Sequence, residues 1–247
     1  MVNIDRVYQR VLVLANKEQR GYITPQEFNL LANHAQMDIF EQYFYDLNQF
    51  RRMNGNDTVY SDMSSVLEEK ISLFRVYDNV VDVISDFGDV NINENFDDFY
   101  RLELVRVDYQ AESGRKVAEL IQVKDQIYIN NSPLLKWTTK RPVYINYSVG
   151  NVPQRLKIYP YPSQDQNVDR VLISYIKRPA LANWGFTVVG DTALYNQNNS
   201  QHFELHPSEE TELVIKILTL AGVVIKDPNL YNIGTGEDNK NIQQEKQ

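Results

Sequence analysis

Residues 16–27 read NKEQRGYITPQE and fall on the spacing of a calcium-binding helix–loop–helix segment. Gly21 takes the sixth position, where such a loop turns sharply, and Ile23 and Thr24 take the eighth and ninth. Glu27 takes the twelfth, where a carboxylate grips the ion through both oxygens. The first, third and fifth positions must supply oxygen, and here they carry Asn16, Glu18 and Arg20. An arginine at the fifth aims a cation at the metal, and the first has no carboxylate. Thr24-Pro25-Gln26-Glu27 also spells a helix start: Thr24 as N-cap, Pro25 at the first helical position, Glu27 folding back as the capping-box partner. Gly21 equally suits the left-handed residue that ends a preceding helix. The stretch is expected to be a tight helical hairpin rather than a calcium site.

A second concentration of chemistry lies between residues 78 and 98, where Asp78, Asp82, Asp86, Asp89, Glu94, Asp97 and Asp98 occur with no basic residue among them. Such a cluster can gather a divalent cation or pair carboxylates for acid/base work. No tight ligand spacing stands out, so it reads as a solvated acidic connection between short strands such as 80–84. The histidines are His34, His202 and His206. The last two are four apart, but Pro207 follows at once and breaks the helical geometry of a metal pair. His34 reads as a helix-surface residue. There is no phosphate-binding glycine loop, no GxSxG elbow and no cysteine. The expectation is a non-enzyme with no catalytic, metal or cofactor-binding residues. A hydrolase whose carboxylates come from distant positions stays open as an alternative.

The formal net charge of −8 and pI near 5.0 argue against a protein that holds nucleic acid by its phosphates. A negative surface can still let DNA slide past. Apolar content is 43% and charged content 23%, ordinary for a globular chain. No apolar run reaches the ~18 residues of a membrane span, since Lys216 interrupts the longest, 213–225. The N-terminus carries no apolar signal segment followed by a cleavage site; the absence of cysteine fits synthesis in a reducing cytoplasm, and no membrane association is expected. Sixteen tyrosines suit either a protein interface or β-sheet.

The elements that must position these residues follow from periodicity. Ile4, Val7, Val11 and Leu14 predict a helix over 4–16, and Phe28 to Phe50 keep the helical period for about 25 residues, roughly 37 Å. A loop over 51–58 and a helix over 65–76 follow. The period then falls to two, with a change of buried face at Leu104–Val105 that suggests a bulge or a change of sheet. Short strands are predicted at 117–124, 126–130, 143–149, 156–159 and 171–177. Pro207 opens a last helix with acidic residues in its first turn. The polar tail 229–247 cannot form a core, although Leu230, Tyr231 and Ile233 could anchor it on a partner. The predicted fold is α+β: a helical region over 1–77 with a hairpin and a long helix, an antiparallel β-sandwich or small barrel over 78–206, a helix over 207–228, and a disordered or partner-dependent tail.

With these elements placed, two sets of residues look familiar. RVYQRVLVLANKEQRGYITPQEFNLLANHAQMDIFEQYFYDLNQF, from Arg6, resembles the start of virion proteins of crAss-like and related marine phages. The series DDFYRL, RPVYINY, LKIYP, YIKRPALANW and FELHPSEETELVIKILTLA is similar in order to ring, or head-to-tail connector, proteins of short-tailed phages. The resemblance covers about residues 1–228. It implies a virion structural subunit in a homo-oligomeric ring, about twelve copies by portal symmetry, acting as a portal adaptor between capsid and tail. Its implied partners are copies of itself, the portal protein, other tail ring or hub proteins, and DNA that passes through the lumen during ejection without sequence-specific binding. Such rings bring no catalytic residues to carry over. A receptor-binding or adhesin module and a carbohydrate-active enzyme remain the competing expectations.

Overall fold

The computed structural model describes residues 1–17, 23–52, 58–92, 96–110, 114–149, 152–165, 168–190 and 192–225. The protein is α+β, and the chain forms two compact units. One is drawn from Met1–Leu73 and the described part of Pro179–Gln247, the other from Phe74–Arg178.

The first unit is helical. Helix α1 (Ile4–Lys17) begins where Asn3 Oδ1 accepts the backbone N–H of Asp5 at 3.0 Å and of Arg6 at 3.2 Å, and it buries Ile4, Val7, Tyr8 and Val11. Helix α2 (Pro25–Arg52) starts at the capping box: Glu27 N–H donates to Thr24 Oγ1 at 3.3 Å, while Thr24 N–H donates back to Glu27 Oε2 at 3.0 Å. Its 28 residues span about 42 Å. Phe28, Ala32, Ala35, Ile39 and Tyr43 form the buried stripe, at the three- and four-residue spacing of the sequence. Helix α3 (Thr58–Ser72) starts and stops earlier than predicted, because Arg75-Val76-Tyr77 goes into strand β1 (Arg75–Val81). The last helix, α5 (Glu210–Ile225), follows a one-turn 3-10 segment at Pro207–Glu209. It buries Leu213, Val214, Ile217, Leu218 and Ala221 and packs on α1 and α2.

The second unit is a two-layer antiparallel sandwich. Its remaining strands are β2 (Asp89–Asn91), β3 (Phe99–Tyr109), β4 (Lys116–Val117), β5 (Glu119–Leu120), β6 (Val143–Val149), β7 (Val152–Tyr159) and β8 (Asp169–Lys177). One sheet runs β1-β8-β3-β4 and the other β2-β7-β6-β5; β5 and β6 pair in parallel and the other strand pairs among the described residues are antiparallel. Val81, Val105, Val107, Val171, Ile173 and Tyr175 from the first sheet meet Val90, Tyr144, Leu156 and Ile158 from the second in one core. The β3–β8 ladder shifts register between Leu102 and Leu104. That shift lies beside the predicted change of face and brings Val105, Val107 and Tyr109 inward.

Three local expectations are corrected. Residues 126–130 are not a strand but part of a short helix, α4 (Gln126–Asn131); alternation over five residues cannot separate the two states in a short apolar run. Residues 117–124 are not one strand either. The chain leaves β4 and enters β5 across the buried Ala118, crossing from one sheet to the other, and then makes a 3-10 turn at Val123–Asp125. Residues 179–206, grouped by alternation with the β region, belong to the helical unit. There they form a two-stranded hairpin of β9 (Phe186–Val189) and β10 (Thr192–Tyr195).

Candidate assembly surfaces

Several of the side chains that could do chemistry are taken up locally. Glu27 Oε2 accepts the Thr24 hydroxyl at 2.8 Å as well as its N–H. The backbone bond, then the hydroxyl, holds that carboxyl below its usual range. Asn16 and Lys17 continue α1, and loop positions 18–22 lie outside the described residues.

The acidic run disperses. Asp78 sits at φ +51°, a left-handed conformation that aspartate tolerates better than most residues, and Ser174 Oγ receives its N–H at 3.1 Å. Its Oδ2 pairs with Arg115 at 2.6 Å and Arg106 at 3.1 Å, and the Arg106 guanidinium also lies over the Tyr77 ring. Asp89 receives the hydroxyls of Ser85 and Tyr147 at 2.6 Å each. Burial pushes its carboxyl up, but those bonds, with Lys157 and Arg155 nearby, outweigh burial and hold it below the ordinary value. Asp98 accepts from Tyr175 Oη at 3.1 Å. Asp82, Asp86 and Asp97 are exposed, and Glu94 is outside the described residues.

The histidines do not converge. His34 faces Asp38 across one helical turn at 3.5 Å. His202 Nδ1 accepts the Ile4 N–H. His206 Nδ1 accepts the Ser208 N–H and so caps the turn before α5. Among the described residues no three His, Asp or Glu side chains come together to hold a metal, and no helix is long and apolar enough to cross a membrane.

One feature of the helical unit carries no sequence signal of its own. Asn29, Asn33 and Gln36 lie on one face of α2, and they act as a substitute strand for the extended segment 180–184. Asn33 Nδ2 donates to Ala182 O at 2.9 Å and Oδ1 accepts Ala182 N–H at 2.8 Å. Asn29 Oδ1 accepts the Trp184 N–H at 2.8 Å, and Gln36 Nε2 donates to Ala180 O at 2.8 Å. The Trp184 indole N–H then reaches Asp5 Oδ1 at 3.0 Å, with its rings against Tyr8 at 4.3 Å. The segment bound this way is the ALANW end of the resemblance motif.

Several large apolar side chains are exposed. In the sandwich, Val117, Leu120, Val123, Ile127, Tyr128 and Leu134 stand exposed on and after β4 and β5, and none of the residues of α4 is buried. The inner side of this segment is anchored: the Trp137 ring packs at a tilt against Tyr159, centroids 4.6 Å apart, and Gln126 Nε2 donates to Tyr159 Oη at 2.8 Å. At the other edge Ile84 and Phe87 are exposed. In the helical unit, the β9–β10 hairpin exposes Val188, Val189 and Leu194. An open groove of about 560 Å³ between α1 and α5 is lined by Val13, Leu14, Val214 and Ile215. Arg6 and Arg10 close its end, both paired with Glu210. Tyr159 and Tyr175 are buried while Tyr77 and Tyr128 are exposed, so the tyrosines serve both sheet core and surface. The tail anchors Leu230, Tyr231 and Ile233 lie outside the described residues.

No protein-family model matches the sequence, and no curated protein matches it.

Proposed function

We propose that the chain is a non-enzymatic structural subunit of a phage virion. In this reading it joins copies of itself in a ring between the capsid portal and the tail, around the path of the ejected DNA. The observation that carries the reading is the set of exposed apolar side chains at both edges of the sandwich and on the β9–β10 hairpin. An isolated two-stranded hairpin is marginal in water, and open sheet edges with large apolar residues are what a subunit covers by association. The order of the sequence motifs supplies the particular setting, a head-to-tail connector. An acidic chain suits a channel that must release DNA, because like charge disfavours adsorption.

Quantitative mass spectrometry of purified particles of the virus that encodes the chain tests this. The reading expects the protein in each particle in a ring multiple, about a dozen copies by portal symmetry. Its absence from particles, or a copy number matching tail-tip fibres, overturns the proposal in favour of a non-virion or receptor-binding role.

A further inference from the structure

The sandwich has two open flanks that differ in charge. Its sheet orders put β1 and β2 together on one flank and β4 and β5 together on the other. On each flank the chain passes from one sheet to the other: residues 82–88 join β1 to β2, and Ala118 joins β4 to β5. The β1/β2 flank exposes Ile84 and Phe87, the latter 62% accessible, with the exposed Asp82 and Asp86 on either side. Asp78 and Asp89 are already paired with basic residues from elsewhere in the sandwich, and Lys157 of β7 lies over the Phe87 ring at 5.8 Å, so the outward acidic charge of this flank is that of Asp82 and Asp86.

The β4/β5 flank is the complement. Val117, Leu120, Val123 and Ile127 are each more than half accessible, and Lys124 is exposed among them. Arg141 pairs with Glu119 of β5 at 2.9 Å, which sets the turn carrying the exposed Lys140 beside the same edge. Arg115 is taken up by Asp78 and Arg141 by Glu119, so the outward basic charge of this flank is that of Lys124 and Lys140.

We propose that the β4/β5 flank of one copy docks on the β1/β2 flank of the next, so that the occupant of each flank is a second copy of this chain. The apolar centres supply contact area, and Lys124 and Lys140 set against Asp82 and Asp86 supply orientation. Pairing either flank with itself across a two-fold axis sets Asp82 and Asp86, or Lys124 and Lys140, against their own copies, which like-charge repulsion disfavours. The contact is therefore heterologous, and a heterologous contact repeats until it closes. It deepens the ring reading and rests on it only for closure.

The test is a charge swap in the full-length chain. One variant carries Lys124→Glu with Lys140→Glu, the other Asp82→Lys with Asp86→Lys, and association is measured by native mass spectrometry and sedimentation at low salt. The wild type self-associates, more weakly as salt rises. Each variant alone associates at least about 10-fold more weakly per reversed pair, with an unchanged melting curve because the substituted side chains are exposed. Mixing the two restores association in complexes of equal composition, since each reversed flank then meets its new complement. A wild type that stays monomeric, variants that associate as wild type does, or a mixture that does not recover overturns the contact. If particles nevertheless contain the protein in ring multiples, the ring reading stands and only this interface is lost.

Discussion

Asn33 on α2 exchanges two hydrogen bonds with the backbone of Ala182, donating to its carbonyl at 2.9 Å and accepting its N–H at 2.8 Å. The pairing is that of two strands, with one strand replaced by a helix side chain. It joins residues 149 positions apart, and so ties the segment that follows the sandwich to the long helix near the start of the chain.

Asn33→Ala should cost about 2–6 kcal/mol of stability, since two partly buried backbone groups lose their partner at about 1–3 kcal/mol each. Urea denaturation followed by circular dichroism checks this. A loss below about 0.5 kcal/mol, the range of a surface substitution, would mean that the asparagine ladder does not hold the segment.

Thr24→Ala should destabilise the protein by about 1 kcal/mol, the usual worth of an N-cap. Calcium at millimolar concentration should leave the melting temperature unchanged, because a ligand bound by the native state must raise it. A rise that Glu27→Gln abolishes would restore the calcium-loop reading of residues 16–27.

The buried tyrosines of the sandwich should set its alkaline limit. Burial first, and then neighbouring Tyr161 for Tyr159 and the bond to Asp98 for Tyr175, pushes both phenols up to about 12 from 10.0. The folded state keeps these protons where the unfolded chain gives them up. Their stabilisation is therefore complete below pH 10 and is lost as pH rises towards about 12. Phenolate absorbance and melting temperature, followed together up the pH scale, should show a late ionisation that coincides with loss of sheet structure. Ionisation of every tyrosine in one step near 10, with the fold intact, would contradict this.

Gel-shift mixtures of the chain with duplex DNA at micromolar protein and physiological salt should show no retained complex, as the charge of −8 disfavours phosphate contact. A stable shifted band would count against a channel wall and towards a DNA-holding role.

What could be read from the residues divides along physical lines. The start of α2 was legible because Thr24, Pro25 and Glu27 each satisfy a local rule of helix capping, and its buried stripe because Phe28, Ala32, Ala35 and Ile39 repeat at helical spacing. Strands 143–149 and 171–177 were legible from a β-branched and aromatic run. The asparagine ladder was not, since Asn29, Asn33 and Gln36 look like any solvated helix face until residues 180–184 are brought against them. Helix α4 was misread because Ile127, Tyr128 and Ile129 fit either period. The acidic run 78–98 was visible in the sequence, but which edge it occupies, and which basic residues face it, depends on strand order, which no local pattern encodes.

The most direct test of the ring account is cryo-electron microscopy of intact particles with this chain located by fitting its sandwich and α2. The account predicts a closed ring of copies between portal and tail, each touching its neighbours through different flanks and surrounding the DNA path. Density for the sandwich at the tail tip or on fibres, or its absence from the head–tail axis, would contradict it.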